Sequence, residues 1–464
     1  MDDVQQSDMV VAPEKSKYLH DLTQGSVAGN LIRFAMPFLL TMLIQQSYGL
    51  ADLIIVSHFA GEVSVAGVNN GGQLVFFPTV IAIGFSIGGT ILIGQYFGAK
   101  RMEDVRKTAS TMLTTMLIMA VVMAVIFITL SSVFLRLLNV PEESHSEAWR
   151  YLIICMCGLP FIFMYNAISG ILRGMGDSKR PLIIVAIASA VSAALNFLLV
   201  GAFKMGAAGA AFSTIFAQAG CVIVAAIYLN RSGFMFDFKP KSFVIYKDKL
   251  RLTLKLGIPS GIAQVAVNLS FLLMTVLVND YGVSVSAAAG LAGRFNGFAI
   301  MPIFAISNSV SMMIAQNLGA NRQDRALRTM YTGVVLSLIV SLLFFTLVMF
   351  FPRQIMSIMT TVPAVIDAGE VYLTALAWDY LIVPFAFSFF GLATGAGHTH
   401  ITMINSIINS IAVRIPAALL FSKTFDWGLW GVGFAAPVAS IGALIFMSTY
   451  VLSGHWKKAA ILKT

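Results

Sequence analysis

Twelve apolar stretches, each long enough to cross about 30 Å of hydrocarbon as a helix, run through this chain from end to end. They fall near 31–56, 64–96, 108–131, 149–173, 182–202, 207–229, 253–279, 285–316, 329–351, 367–393, 401–421 and 429–453, parted by charge clusters and Pro/Gly turns. Inside a bilayer every backbone N–H and C=O must be satisfied within the protein, which leaves helices or closed barrels, and stretches of this length are helices. The 11% of residues that are charged are too few to clothe a soluble surface around the 58% that are hydrophobic. The expected fold is an all-α integral membrane protein with twelve transmembrane helices.

The chain also repeats itself. Gly94-Gln95-Tyr96-Phe97-Gly98-Ala99-Lys100 after the second stretch returns as Ala315-Gln316-Asn317-Leu318-Gly319-Ala320-Asn321 after the eighth, 221 residues on. Gly174-Met175-Gly176 returns as Gly395-Ala396-Gly397 at the same spacing, and Pro37 is matched by Pro259 with one residue more. Six stretches per repeat is an even number, so both halves enter the membrane in the same sense. That gives two six-helix lobes facing a central cavity, related by a pseudo-two-fold axis along the membrane normal. The chain then divides into a tail at 1–28, a lobe at 29–229, a linker at 230–252, a second lobe at 253–453 and a tail at 454–464.

Lys and Arg gather on the side of the amino terminus, at Lys100, Arg101, Arg106 and Lys107, at Arg173, Lys179 and Arg180, and in the linker. The positive-inside rule then makes both termini cytoplasmic. These cations suit anionic headgroups, so the net charge of +9 points to the lipid bilayer as partner and away from nucleic acid. Met1-Asp2-Asp3 is acidic and the first apolar core begins near residue 31, so no cleavable signal sequence is expected. Cys155, Cys157 and Cys221 lie within apolar stretches with no ligand partners close in sequence, and read as small core residues.

Asp52 stands near the outer end of the first stretch, where a carboxylate in hydrocarbon costs about 2.5–3.5 kcal/mol and faces a cavity, an ion path or a partner. The plain alternative is an interfacial aspartate in contact with water. Gln45 and Tyr48 share one helical face with Asp52. Ser189, Ser192 and Asn196 form one face of the fifth stretch, and Thr214 and Gln218 lie on the sixth. Topology puts Asp52, Asn196 and Thr214 at similar depth in the outer half of the first lobe, where with Ser192 they could supply oxygens to one cation. A lone carboxylate can carry a proton or one sodium ion, and no other metal site is expected. Pro37, fifteen residues before Asp52, allows the helix to bend.

In the second lobe, Asp379 lies midway along the tenth stretch and Arg414 midway along the eleventh, so a buried ion pair is the economical expectation, with a second ion or substrate site as its alternative. Gln264 and Asn268 on the seventh stretch face the cavity by spacing.

Enzyme readings fit poorly. Gly174-Met175-Gly176-Asp177 matches the Gly-x-Gly-Asp string of intramembrane aspartyl proteases, but Asp177 precedes Ser178-Lys179-Arg180-Pro181 in a short loop. No neighbouring helix holds the Tyr-Asp pair, since Asp379-Tyr380 runs in the reverse order. His398 and His400 are two apart and read as loop histidines. A P-loop is absent, so no nucleotide or other cofactor is expected and energy comes from an ion gradient.

Leu172-Arg173-Gly174-Met175-Gly176-Asp177-Ser178-Lys179-Arg180-Pro181, Gly94-Gln95-Tyr96-Phe97-Gly98-Ala99 and Arg414-Ile415-Pro416 resemble the multidrug and toxic compound extrusion (MATE) family, with the first stretch most similar to the bacterial DinF-like branch. The resemblance implies a secondary antiporter of the bacterial inner membrane, acting as a monomer. It would export small amphiphilic, often cationic, molecules by alternating access in exchange for H+ or Na+. It aligns Asp52 with the first-helix carboxylate used for cation coupling and Thr214 with a hydroxyl from the sixth helix. Ser192 and Asn196 hold the places of an Asn and an Asp in other members. It marks Arg294 as an arginine common in the branch, near the substrate cavity or beside Asp379. The rival within the same superfamily is a lipid-linked saccharide flippase.

Overall fold

The computed structural model describes residues 20–231, 236 and 238–457. Much of the expected tails and part of the linker, at 1–19, 232–235, 237 and 458–464, lie outside the described residues. Among the described residues there is no strand. The helices are α1 (Val27–Gly98), α2 (Met102–Thr129), α3 (Ser131–Leu137), α4 (Glu142–Gly174), α5 (Lys179–Asn196), α6 (Gly206–Arg231), α7 (Lys247–Asn279) and α8 (Val283–Gly319). After these come α9 (Gln323–Phe350), α10 (Pro352–Met359), α11 (Pro363–Ala377), α12 (Val383–Gly395), α13 (Thr399–Ile407), α14 (Arg414–Leu419) and α15 (Gly428–Leu452).

Among the described residues ten helices, with short wide-turn extensions counted in, are long and apolar enough to cross a membrane, and the bent pair α11–α12 makes an eleventh. The 72-residue α1 supplies the twelfth because it doubles back. Its beginning and its end both meet α8 at one place: the Leu22 N–H, just before it, donates to Gln316, and a Cβ on Gly98 would strike the Gln316 carbonyl. The reversal lies at Gly61, whose φ of 77° is open to glycine at little strain. The second half turns at the equivalent Gly282, with φ 96°, between α7 and α8. In the first half the turn is tight enough that the loop expected between 56 and 64 is helical on both sides of that one residue.

The two lobes exchange the beginnings of their first helices. Leu31, Phe34 and Ala35 of α1 pack with Val310, Met313 and Met330 of the second lobe, while Leu256 of α7 joins the core of the first. In lipid, helix association comes from close packing of small residues. A Cβ on Gly88 would lie 2.6 Å from the Gly257 nitrogen, and one on Gly84 would lie 2.6 Å from the Gly261 Cα. Lys249 fastens the start of α7 to the first lobe through Asp104 (2.6 Å) and the Tyr96 hydroxyl (3.1 Å).

Leu22 and Trp456 belong to one core cluster, so both ends of the described chain lie on one face, here the terminal face. His398 sits there between α12 and α13, its ring nitrogen 2.6 Å from the Tyr450 hydroxyl. Burial pushes its ring down to about 4, with His400, His455 and Lys255 adding like charge. A ring kept neutral by the fold, but protonated in the unfolded chain below its ordinary 6.5, favours the fold above that pH and loses the contribution as pH falls towards 4. The melting temperature in detergent should therefore drop between pH 7 and pH 5, and drop less in His398→Phe.

Candidate functional site

Toward the opposite face, α1, α5 and α6 bring five polar side chains together. Asn196 Nδ2 donates to Asp52 Oδ1. The Ser192 hydroxyl donates to the Tyr48 hydroxyl at 2.9 Å, and Tyr48 in turn meets the Thr214 hydroxyl. Thr214 donates onward to the Ala210 carbonyl at 3.0 Å. That leaves the single Tyr48 proton for Thr214 or for Asp52, which lies beside the same hydroxyl. Ser192 and Asn196 are buried.

Local sequence explains the convergence. Tyr48 and Asp52 are one turn apart on α1, and Ser192 and Asn196 one turn apart on α5, so two ladders of the same pitch face each other. Just past Asn196 the helix widens into a π turn, Phe197–Ala202, which keeps the chain near the site as it turns towards α6. Glu147 of α4 sets the start of α6: its Oε2 accepts from the Ala207 N–H at 2.9 Å and from Ser64 at 3.4 Å. A carboxylate suits the positive end of a helix. Glu147 carried no signal in the sequence because it lies just ahead of the fourth stretch and far along the chain from both partners.

One buried atom is left over. Asn196 Oδ1 has no hydrogen-bond partner among the described residues, and an unsatisfied buried acceptor costs about 1–3 kcal/mol. Placed beside the Asp52 carboxylate, it is an oxygen that a cation or a proton donor would satisfy. Asp52, Ser192, Asn196 and Thr214 thus lie together, and Tyr48, expected only on the same helical face, joins the cluster itself. Gln45 is exposed on α1 and outside these hydrogen bonds. The helix runs through Pro37 with helical geometry and leaves it only at Gly61.

The second lobe differs. The expected Asp379–Arg414 ion pair is not formed: Asp379 Oδ1 and Arg414 Nε are both buried without a hydrogen-bond partner among the described residues. Arg414 instead lies over the Phe271 ring, 4.6 Å from its centroid. Two irregularities undo the pairing. Asp379 falls in a 3₁₀ turn, Trp378–Leu381, at which the tenth span bends by 49°, and Arg414 follows a π segment, Ile408–Val413, that rotates its helix face. Asp379→Asn should accordingly leave folded yield and melting temperature equal to or above wild type, where loss of an ion-pair partner would lower both. Asn268 Nδ2 donates to the Gln264 carbonyl within α7 at 2.8 Å, and Arg294 is exposed on α8. Cys155 and Cys221 are buried as expected, but Cys157 is exposed.

The π segment also explains the repeat spacing. The offset is 221 residues at Gly176 and Gly397, and 222 at the matching turns where Phe203 donates to Leu198 and Phe425 to Leu420. The extra residue is absorbed between them, at Ile408–Val413. At the offset of 222 that also relates Pro37 to Pro259 ahead of Asp52, the counterparts of Asp52, Asn196 and Thr214 are Met274, Ala418 and Ala436, three members of one apolar core cluster. The second lobe has no carboxylate at the positions that match this pocket; its own buried carboxylate, Asp379, lies in the bend between α11 and α12.

Asp177 is accounted for by structure: its Oδ1 accepts the Lys179 and Arg180 N–H groups at 3.0 and 3.2 Å, and Oδ2 binds the Arg180 side chain. It fastens the start of α5 and has no partner carboxylate among the described residues.

The MatE family model matches residues 37–198 and again 259–420, one match in each lobe. The probable multidrug resistance protein YoeA of Bacillus subtilis (strain 168) is 29% identical across 94% of this chain and 96% of its own length. The probable multidrug resistance protein NorM of Thermotoga maritima is 25% identical across 93% and 94%. A solved structure described as the outward-facing conformation of a multidrug resistance MATE family transporter of the MOP superfamily shares the fold, with a TM-score of 0.87 at 21% identity over 97% of this chain and 100% of that one.

Proposed function

This chain belongs to the MatE family, and from that membership we propose that it is a multidrug-efflux transporter, a secondary antiporter that expels amphiphilic, often cationic, compounds in exchange for H+ or Na+. Members of the family are transporters and not enzymes. The terminal face is cytoplasmic by its basic residues, the setting a bacterial inner membrane, and each chain, holding both lobes, works alone.

The observation that carries the reading is the orphaned Asn196 Oδ1 beside Asp52. A proton on Asp52 would turn the carboxylate into a donor, and a sodium ion would draw on the oxygens of Asp52, Asn196, Ser192 and Thr214. In either case the charge of Asp52 is cancelled, and the Tyr48 proton, otherwise drawn to that carboxylate, is free for Thr214. Ion binding thereby changes which helices are tied together, the differential contact that ion-driven alternation requires. Abundant Met and Phe, 24 and 35 residues, favour a cavity tolerant of varied apolar and cationic shapes.

The test is ethidium efflux from proteoliposomes under an imposed pH gradient and then a sodium gradient. Flux that follows one gradient supports the antiporter and names its ion. No flux under either, from folded protein, would overturn it.

A further inference from the structure

On the terminal face, far from the carboxylate pocket, two glutamines related by the repeat make the same bond across the lobes. Gln95 of α1 donates through Nε2 to the Gly395 carbonyl of α12 at 2.9 Å, and Gln316 of α8 donates to the Gly174 carbonyl of α4 at 3.1 Å. Both side chains are completely buried. Their helices touch at two more repeat-related residues: a Cβ on Gly98 would lie 2.0 Å from the Gln316 carbonyl oxygen, and one on Gly319 would lie 2.1 Å from that of Gln95.

The symmetry then breaks. Gln316 Oε1 accepts the Leu22 N–H at 3.1 Å, while Gln95 Oε1 is buried with no partner among the described residues. The segment 20–25 that supplies Leu22 is strapped to the second lobe by its carbonyls: Arg322 binds that of Thr23 at 2.9 Å, and Arg325 binds those of Gln24 and Gly25, each at 2.8 Å. The equivalent segment before α7 goes elsewhere, its Val244 N–H donating to Ser110.

We propose that Gln95 and Gln316 are the paired gating residues that hold the terminal face shut, and that the segment 20–25 is a strap reinforcing only the Gln316 half. Opening this face must break both cross-lobe bonds. The Gln316 bond is held in register by a second bond on the same amide, whereas the Gln95 amide is half satisfied and yields first. The strap thereby sets how often the face opens. The purpose of the latch rests on the transport reading above; its geometry does not.

The test places spin labels at Arg106→Cys on α2 and Arg328→Cys on α9, both exposed on the terminal face, with Cys155, Cys157 and Cys221 changed to alanine, and measures their distance distribution in nanodiscs. Gln95→Leu or Gln316→Leu should each raise the ratio of long to short distances about tenfold, as expected for stranding a buried carbonyl. Arg325→Ala, which frees the strap, should raise it about threefold in the wild-type and Gln95→Leu backgrounds but not in Gln316→Leu, because the strap acts through Gln316. Gln95→Met and Gln316→Met, which keep the length but lose the donor, replace any leucine variant that does not fold. Unchanged distributions in both glutamine variants, or an equal Arg325→Ala effect in every background, would overturn the proposal. Shifted distances in a protein that moves no ethidium would leave the latch standing and remove the transport reading.

Discussion

Asp52→Asn should reduce gradient-driven ethidium efflux to background, a loss of at least about a hundredfold, with no loss of folded protein. The substitution keeps an oxygen where Asp52 Oδ1 accepts from Asn196, so the helix contacts survive. It removes the one charge that can bind H+ or Na+ in the pocket, and with it the reason for the Tyr48 proton to change partner. Removing a carboxylate from a membrane span also relieves about 2.5–3.5 kcal/mol of insertion cost, so yield should hold or rise. Transport rate and melting temperature measured on the same preparation separate the two effects. Efflux that still follows the ion gradient in the variant would show that the pocket is not where coupling occurs.

Gly98→Ala is expected to be nearly as damaging, for a steric reason. The added methyl would sit 2.0 Å from the Gln316 carbonyl oxygen, part of a helix backbone that cannot swing aside as a side chain would. Overpacking of this kind costs about 3 kcal/mol, roughly two decades in the closed-to-open ratio of the terminal face. Gly319→Ala should behave alike, since its methyl would meet the Gln95 carbonyl oxygen at 2.1 Å. Both variants should insert normally and lose efflux, because a face that will not close cannot alternate. Gly72→Ala on the same helix is the control: nothing lies within 4 Å of its Cβ, and alanine in a helix is favoured over glycine by roughly 0.5–1 kcal/mol. Full efflux in Gly98→Ala would refute the close approach.

Both predictions use residues that were visible in the sequence, for unequal reasons. The twelve crossings were legible because hydrocarbon thickness sets a minimum length for each apolar run. The polar cluster around Asp52 was legible because its residues recur at helical spacing, Tyr48 with Asp52 and Ser192 with Asn196, on spans whose direction topology supplies. Where helices stop being regular that logic fails. The π segment at Ile408–Val413 is a one-residue insertion with no mark in hydropathy, so the matching depth of Asp379 and Arg414 along two regular helices points to a pairing that this segment and the 3₁₀ turn at Trp378–Leu381 prevent. Gln95 and Gln316 announced the repeat but not their task, since the carbonyls they bind lie 300 and 142 residues away. Hydrogen bonds to a backbone carbonyl leave no residue-type signature at the far end.

That the counterpart of the pocket is Met274, Ala418 and Ala436 has a consequence for charge balance on the antiport reading. If the Asp52 pocket alone takes up the ion, one monovalent ion enters for each substrate that leaves. Trading it for a singly charged drug moves no net charge, so membrane voltage drops out and only the ion's concentration difference drives export. A neutral substrate would carry net positive charge inward with each turnover and draw on the voltage too, at about 2.3 kcal/mol per 100 mV. The same transporter would then concentrate neutral and cationic compounds to different limits, and collapsing the voltage alone would tell them apart.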